Sequence, residues 1–80
     1  MKIERNHQTG GLCTIVEKDG KHYYLDLSFI PYARFNIVEC MAFECDEHGI
    51  VHNWGEVFVA YPPSVSEENL KKCVEMFMAE

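Results

Sequence analysis

The stretch MAFECDEHGIVHNWGEVFV, residues 41–59, decides how this chain folds. Two runs rich in β-branched and aromatic residues flank Asp46-Glu47-His48-Gly49, with aspartate at the first position of a type I turn and glycine at the fourth. A type I turn followed by a left-handed residue makes a common hairpin loop with a bulge at the glycine. The stretch is therefore predicted to be a β-hairpin, and the odd loop sets its register. Asp46 opposes Ile50, Cys45 opposes Val51, Met41 opposes Gly55 and Ile37 opposes Val59. An even loop would bring the apolar side of the first strand beside His52 and Glu56 and bury less.

Upstream of the turn, Phe35, Ile37, Met41, Phe43 and Cys45 share one face, interrupted by Glu39, while Val38, Cys40, Ala42 and Glu44 share the other. Downstream, residues 50–61 divide into Val51, Gly55, Val57 and Val59 against His52, Trp54, Glu56 and Phe58, until Pro62-Pro63 ends the strand. Nearer the N-terminus, LCTIVEKDGKHYYLDL, residues 12–27, is a second hairpin turning at Asp19-Gly20, with Tyr23, Leu25 and Leu27 toward the core. Pro31 marks residues 28–33 as a connector or edge.

The tail SVSEENLKKCVEMFMAE is helical. Ser66 is its N-cap, Glu67 and Glu68 complement the dipole in the first turn, and Val65 staples against Leu70. Leu70, Val74, Phe77 and Met78 recur at the spacing of one buried stripe, with Cys73 on its shoulder. The predicted fold is α+β: one β-β-β-β-α domain over residues 1–80, a four-stranded antiparallel β-meander with one C-terminal α-helix packed on one face. The pattern leaves open which face the helix covers.

The turn region also carries a thiol, carboxylates and two histidines, in a C-x4-C-x2-H-x3-H spacing that resembles a zinc set. On the predicted register Cys45 points to one face while Cys40 and His52 point to the other, so four ligands do not converge. A small metal or ligand site using His48 and His52 with a carboxylate is the alternative; otherwise no metal or cofactor is implied. A Cys–His nucleophile pair needs a separation of about 3 Å, and the nearest outer cross-strand polar pair, Glu44 with His52, has no nucleophile beside it. The glycines match no phosphate-binding fingerprint. No catalytic residue is assigned, and the chain is expected not to be an enzyme. Glu39 and Glu56, inside apolar alternations, are expected to pair with lysines of the helix.

Eighty residues, 48% of them hydrophobic, make one globular domain. No stretch is long and apolar enough to span a membrane, and the N-terminus lacks the apolar core of a signal peptide. A cytoplasmic location is expected, with the four cysteines reduced and buried as small hydrophobes. The net charge of −6 is concentrated, because residues 36–70 hold no lysine or arginine while carrying Glu39, Glu44, Asp46, Glu47, Glu56, Glu67 and Glu68. Such a surface repels phosphate backbones, which argues against direct nucleic-acid binding, and attracts a basic partner.

One helix covers one face of a sheet. The other is expected to present Val38, Trp54 and Phe58 with Cys40 and Ala42, rimmed by charges, unless the N-terminal segment or the connector folds over it. Aromatic residues inside a charged rim are the anatomy of an interface centre. Val38, Trp54 and Phe58 are the predicted protein-binding anchors, and Glu44, Asp46 and Glu47 at the hairpin tip are predicted to steer association. The partner is a foreign protein or, alternatively, a second copy in a homodimer whose role is structural.

The run MAFECDEHGIVHNWGEVFV followed by VSEENL resembles a pattern in small uncharacterised proteins of phages and mobile elements of Gram-positive bacteria. The likeness covers the C-terminal half and carries over no catalytic residue. It implies an accessory protein that acts by binding, such as an acidic inhibitor of a host protein complex.

Overall fold

The computed structural model describes residues 1–31 and 34–80; Tyr32 and Ala33 of the predicted connector lie outside the described residues. The elements in chain order are β1 (Glu4–Arg5), β2 (Leu12–Lys18), β3 (Lys21–Phe29), β4 (Val38–Cys45), β5 (Phe58–Ala60) and α1 (Glu67–Met78). The strands form one open antiparallel sheet in the order β1-β2-β3-β4-β5. The architecture is α+β with a C-terminal helix, but the sheet has five strands among the described residues and not the four predicted. The additional strand, β1, is two charged residues without alternation. Its pairing is set by a turn, in which the Asn6 N–H donates to the Gly11 carbonyl at 2.9 Å and the Gly10 N–H to the Asn6 carbonyl at 2.7 Å.

The first predicted hairpin forms as expected. Asp19 and Gly20 take φ of 53° and 78°, the positive values that a tight two-residue connection needs, and Lys18 faces Lys21. The helix also starts where its cap predicts: the Ser66 hydroxyl accepts from the Asn69 N–H at 3.1 Å. Its last turn contains no basic residue, and a cation arrives from the sheet instead. The Lys18 ammonium donates to the Phe77 carbonyl at 2.8 Å and lies 4.5 Å from the Phe77 ring centroid.

The core lies between α1 and one face of the sheet. Cross-strand neighbours share a face, which aligns Leu12, Leu27, Cys40 and Ala60 in one row and Thr14, Leu25, Ala42 and Phe58 in the next. Leu70, Cys73 and Phe77 of α1 are buried in the same cluster, with Phe77 edge-on to Tyr23 at 4.9 Å and to Phe58 at 5.5 Å. Met78 is exposed, so the buried helical stripe is narrower than predicted.

This arrangement corrects the predicted faces. Val38, at 4% exposure, and Phe58, at 9%, are core residues under the helix and do not lie on an uncovered face with Trp54. The physical reason is the register with β3. Cross-strand pairing sets Cys40 beside Leu27 and Ala42 beside Leu25, so these β4 residues share the core face of β3, and Val38 follows by alternation.

The second hairpin keeps its predicted turn and loses its predicted ladder. The Gly49 N–H donates to the Asp46 carbonyl at 3.0 Å, the Asp46 N–H to the Ile50 carbonyl at 2.9 Å, and Gly49 has φ 81°. Beyond Ile50 the chain leaves the sheet. When it returns, Met41 faces Val59, not Gly55, and Ala42 faces Phe58. The Val57 N–H also donates to the Ala42 carbonyl at 2.8 Å, so two residues oppose one, as in a β-bulge. The predicted strand over residues 50–61 is thus an excursion followed by the short β5. Among the described residues no helix is long and apolar enough to cross a membrane.

Candidate functional site

The side of the sheet away from the helix is covered only in part, and by the chain's own excursion. Its middle row runs through Ile15, Tyr24 and Phe43. Gly49 lies close against the Ile15 side chain. Trp54 sets its ring edge-on to Phe43, with centroids 5.0 Å apart, and to Tyr24 at 6.5 Å. Phe43 is consequently 5% exposed although no helix lies above it, while Trp54, resting on it, is 64% exposed. An aromatic ring propped in place and open on its remaining surface is already ordered for contact.

Asp46 organises the base of the excursion. Its Oδ1 accepts from the backbone N–H groups of His48 at 2.9 Å and Ile50 at 3.0 Å, and its Oδ2 meets His52 Nε2 at 2.8 Å. The Ile50 N–H first, and the His52 ring second, stabilise the charged carboxylate and lower its pKa to about 2. His48 lies 3.5 Å from Glu47, so each histidine of the alternative metal site faces its own carboxylate. Among the described residues no group of three or more histidine, cysteine, aspartate or glutamate side chains is placed to hold a metal ion.

Glu44 lies 3.5 Å from Lys21, both exposed. With Asp46 it borders a pocket of 360 Å³ between β4 and the excursion, whose other walls include Asn53 and Gly55, the neighbours of Trp54. Of the predicted surface residues, Glu44 and Asp46 line this pocket and Trp54 and Glu47 are sequence neighbours of its walls, whereas Val38 and Phe58 are buried in the core. The expected pairing of Glu39 and Glu56 with helix lysines does not form among the described residues: neither carboxylate is in an ion pair, and Lys72 pairs with Glu68 at 3.4 Å within α1.

The outer face also holds a carboxylate, two residues along β3 from Tyr24. Asp26 sits on the central strand, and its Oδ1 is buried without a hydrogen-bond partner. Burial raises its pKa, and the Asn6 amide offsets part of the shift. That amide donates to the Tyr24 hydroxyl at 3.1 Å. The phenol is itself pushed up, by burial and then by Cys13 and Asp26. Tyr24, Phe43 and Asp26 are the site residues that sequence reasoning missed. The alternation of β3 puts Tyr24 and Asp26 together on the face away from Leu25, and that shared face is the signal that could have found them.

All four cysteines are free and buried. Burial raises the thiols of Cys40, Cys45 and Cys73, with Cys73 adding to the shift at Cys40. A buried thiol shifted in this direction is held protonated and lacks the thiolate character of a nucleophile. No protein-family model, curated protein or solved structure matches the chain.

Proposed function

We propose that this chain is a small acidic, non-enzymatic protein-binding module whose contact surface centres on Trp54. The exposure of Trp54 on a rigid aromatic base is the observation that carries this reading. Ile50 and Val57, the exposed apolar residues at either end of the excursion, take the place of Val38 and Phe58 in the contact. Glu44, which pairs with Lys21, and Asp46 and Glu47 belong to a stretch of sequence without a lysine or arginine, and steer a basic partner toward the aromatic centre. The resemblance to phage and mobile-element proteins fits an accessory protein, or an inhibitor acting on a host protein complex in the cytoplasm.

The test begins with affinity capture from a bacterial extract and ends with the captured protein purified and titrated. Trp54→Ala is expected to weaken binding by about 2 kcal/mol or more while the domain stays folded. Charge reversal at Glu44 and Glu47, which leaves the Asp46 turn intact, is expected to slow association and flatten its salt dependence. Unchanged affinity in Trp54→Ala sinks the reading. A solution mass that doubles for the wild type and returns to monomer in Trp54→Ala identifies the partner as a second copy.

A further inference from the structure

Three of the four histidines gather at one end of the molecule, and each meets a carboxylate. His22 stands across the strands from Glu17, with its Nε2 3.8 Å from the carboxylate, and has Cys45 on its other side. This row lies on the outer face next to that of Ile15, Tyr24 and Phe43, on which Trp54 rests. The chain then turns through Asp46, where His48 faces Glu47 and His52 faces Asp46. The pairs Lys2–Glu4 and Lys72–Glu68 lie elsewhere, and among the described residues Glu44 is the one carboxylate of this end that meets a lysine.

We propose that these three histidines make the contact surface sensitive to pH, so that a basic partner is attracted near neutrality and released on acidification; the inference rests on the protein-binding reading of this face. Histidine is the side chain whose charge ordinarily changes between about pH 5 and 8. The groups around it do not follow. Asp46, held at about 2 by the Ile50 N–H and then the His52 ring, stays ionised, while burial keeps the Cys45 thiol and the Tyr24 phenol uncharged. With neutral histidines, Glu17, Glu44, Asp46 and Glu47 against Lys21 leave an excess of three negative charges, and three protonated rings cancel it. Lys18 and Asp19 at the adjoining turn offset each other, and α1 packs on the opposite face of the sheet. Glu56, further along the excursion, is then the one uncompensated carboxylate of this end. Acidification therefore removes most of the field that steers a cationic partner toward Trp54.

The experiment titrates the full chain at low ionic strength with an oligolysine peptide capped at both ends, whose own charge is constant between about pH 5.5 and about pH 7.5. Binding is read by calorimetry and by the fluorescence of Trp54, the single tryptophan. Wild-type affinity is expected to fall about tenfold from the higher pH to the lower. The triple variant His22→Gln, His48→Gln, His52→Gln keeps a donor for each carboxylate and is expected to match the wild type at the higher pH and hold that affinity at the lower. If the triple variant melts well below the wild type, His48→Gln takes its place, since that side chain is 77% exposed, and is expected to recover part of the loss. Equal wild-type affinity at the two pH values overturns the proposal. So does a loss that persists unchanged in the variant, which would belong to another group such as Asp26. Either result leaves the protein-binding module standing. Absence of peptide binding at both pH values also overturns the proposal, and unchanged capture by Trp54→Ala then removes the module with it.

Discussion

Gly49 combines two constraints at one position. Its φ of 81° lies in the left-handed region, and the Ile15 side chain occupies the space that a β-carbon would need. Gly49→Val should therefore destabilise by about 1–2 kcal/mol from backbone conformation, and further through displacement of Ile15. His48→Ala, which removes an exposed ring, should change little. Thermal unfolding of the pair separates them, and equal melting points would contradict the bulged turn. The turn was legible in the sequence because Asp46 and Gly49 act within a few residues of each other. Trp54 was not, because its position depends on Phe43 and Tyr24, which lie on two other stretches of chain. The chemistry of Asp26 was hidden for a similar reason: alternation names the face of a residue and says nothing of what else folds onto it.

β4 is an element with two apolar faces, each covered by a different kind of structure. Val38, Cys40 and Ala42 meet the helix, while Phe43 and Cys45, also buried, face the other way. Ranking faces by bulk favours the second, although pairing with Leu25 and Leu27 of β3 puts the first in the core. The antiparallel meander of β2, β3 and β4, the N-cap of α1 and the core face of β3 were readable from local pattern. The length of β5 was not, because the excursion keeps the alternation of a strand over residues 50–57 without its hydrogen bonds. The two aromatic residues once placed together should now separate in a stability measurement. Phe58→Ala opens the core beneath Phe77 and should cost about 3 kcal/mol or more in urea unfolding. Trp54→Ala leaves that core intact and should cost much less. Comparable losses for both would mean that the excursion is as integral to folding as the helix.

The two unusual carboxylates give the whole molecule a stability profile with opposing slopes. Asp46 has its pKa lowered from 3.8 to about 2, so its contribution is fully present above the ordinary carboxylate value and is lost as pH falls through about 2. Asp26 is shifted upward, so the folded state holds its proton more tightly and loses stability as pH rises from the ordinary value through the raised one. Melting curves should show Asp46→Asn below the wild type near neutrality and converging with it at about pH 2. Asp26→Asn should match the wild type in acid and exceed it at neutral pH. Parallel curves across the range would contradict both shifts. The contact between Lys18 and Phe77 bears on the order in which such a molecule assembles. Each strand pairs with its neighbour in sequence, so the meander grows by short loop closures. The Lys18 ammonium and the Phe77 carbonyl, by contrast, stand 59 positions apart. Once β5 has paired, only the short stretch between Ala60 and Glu67 separates α1 from the sheet, so the contact between residues so distant in sequence closes at the entropy cost of a short loop.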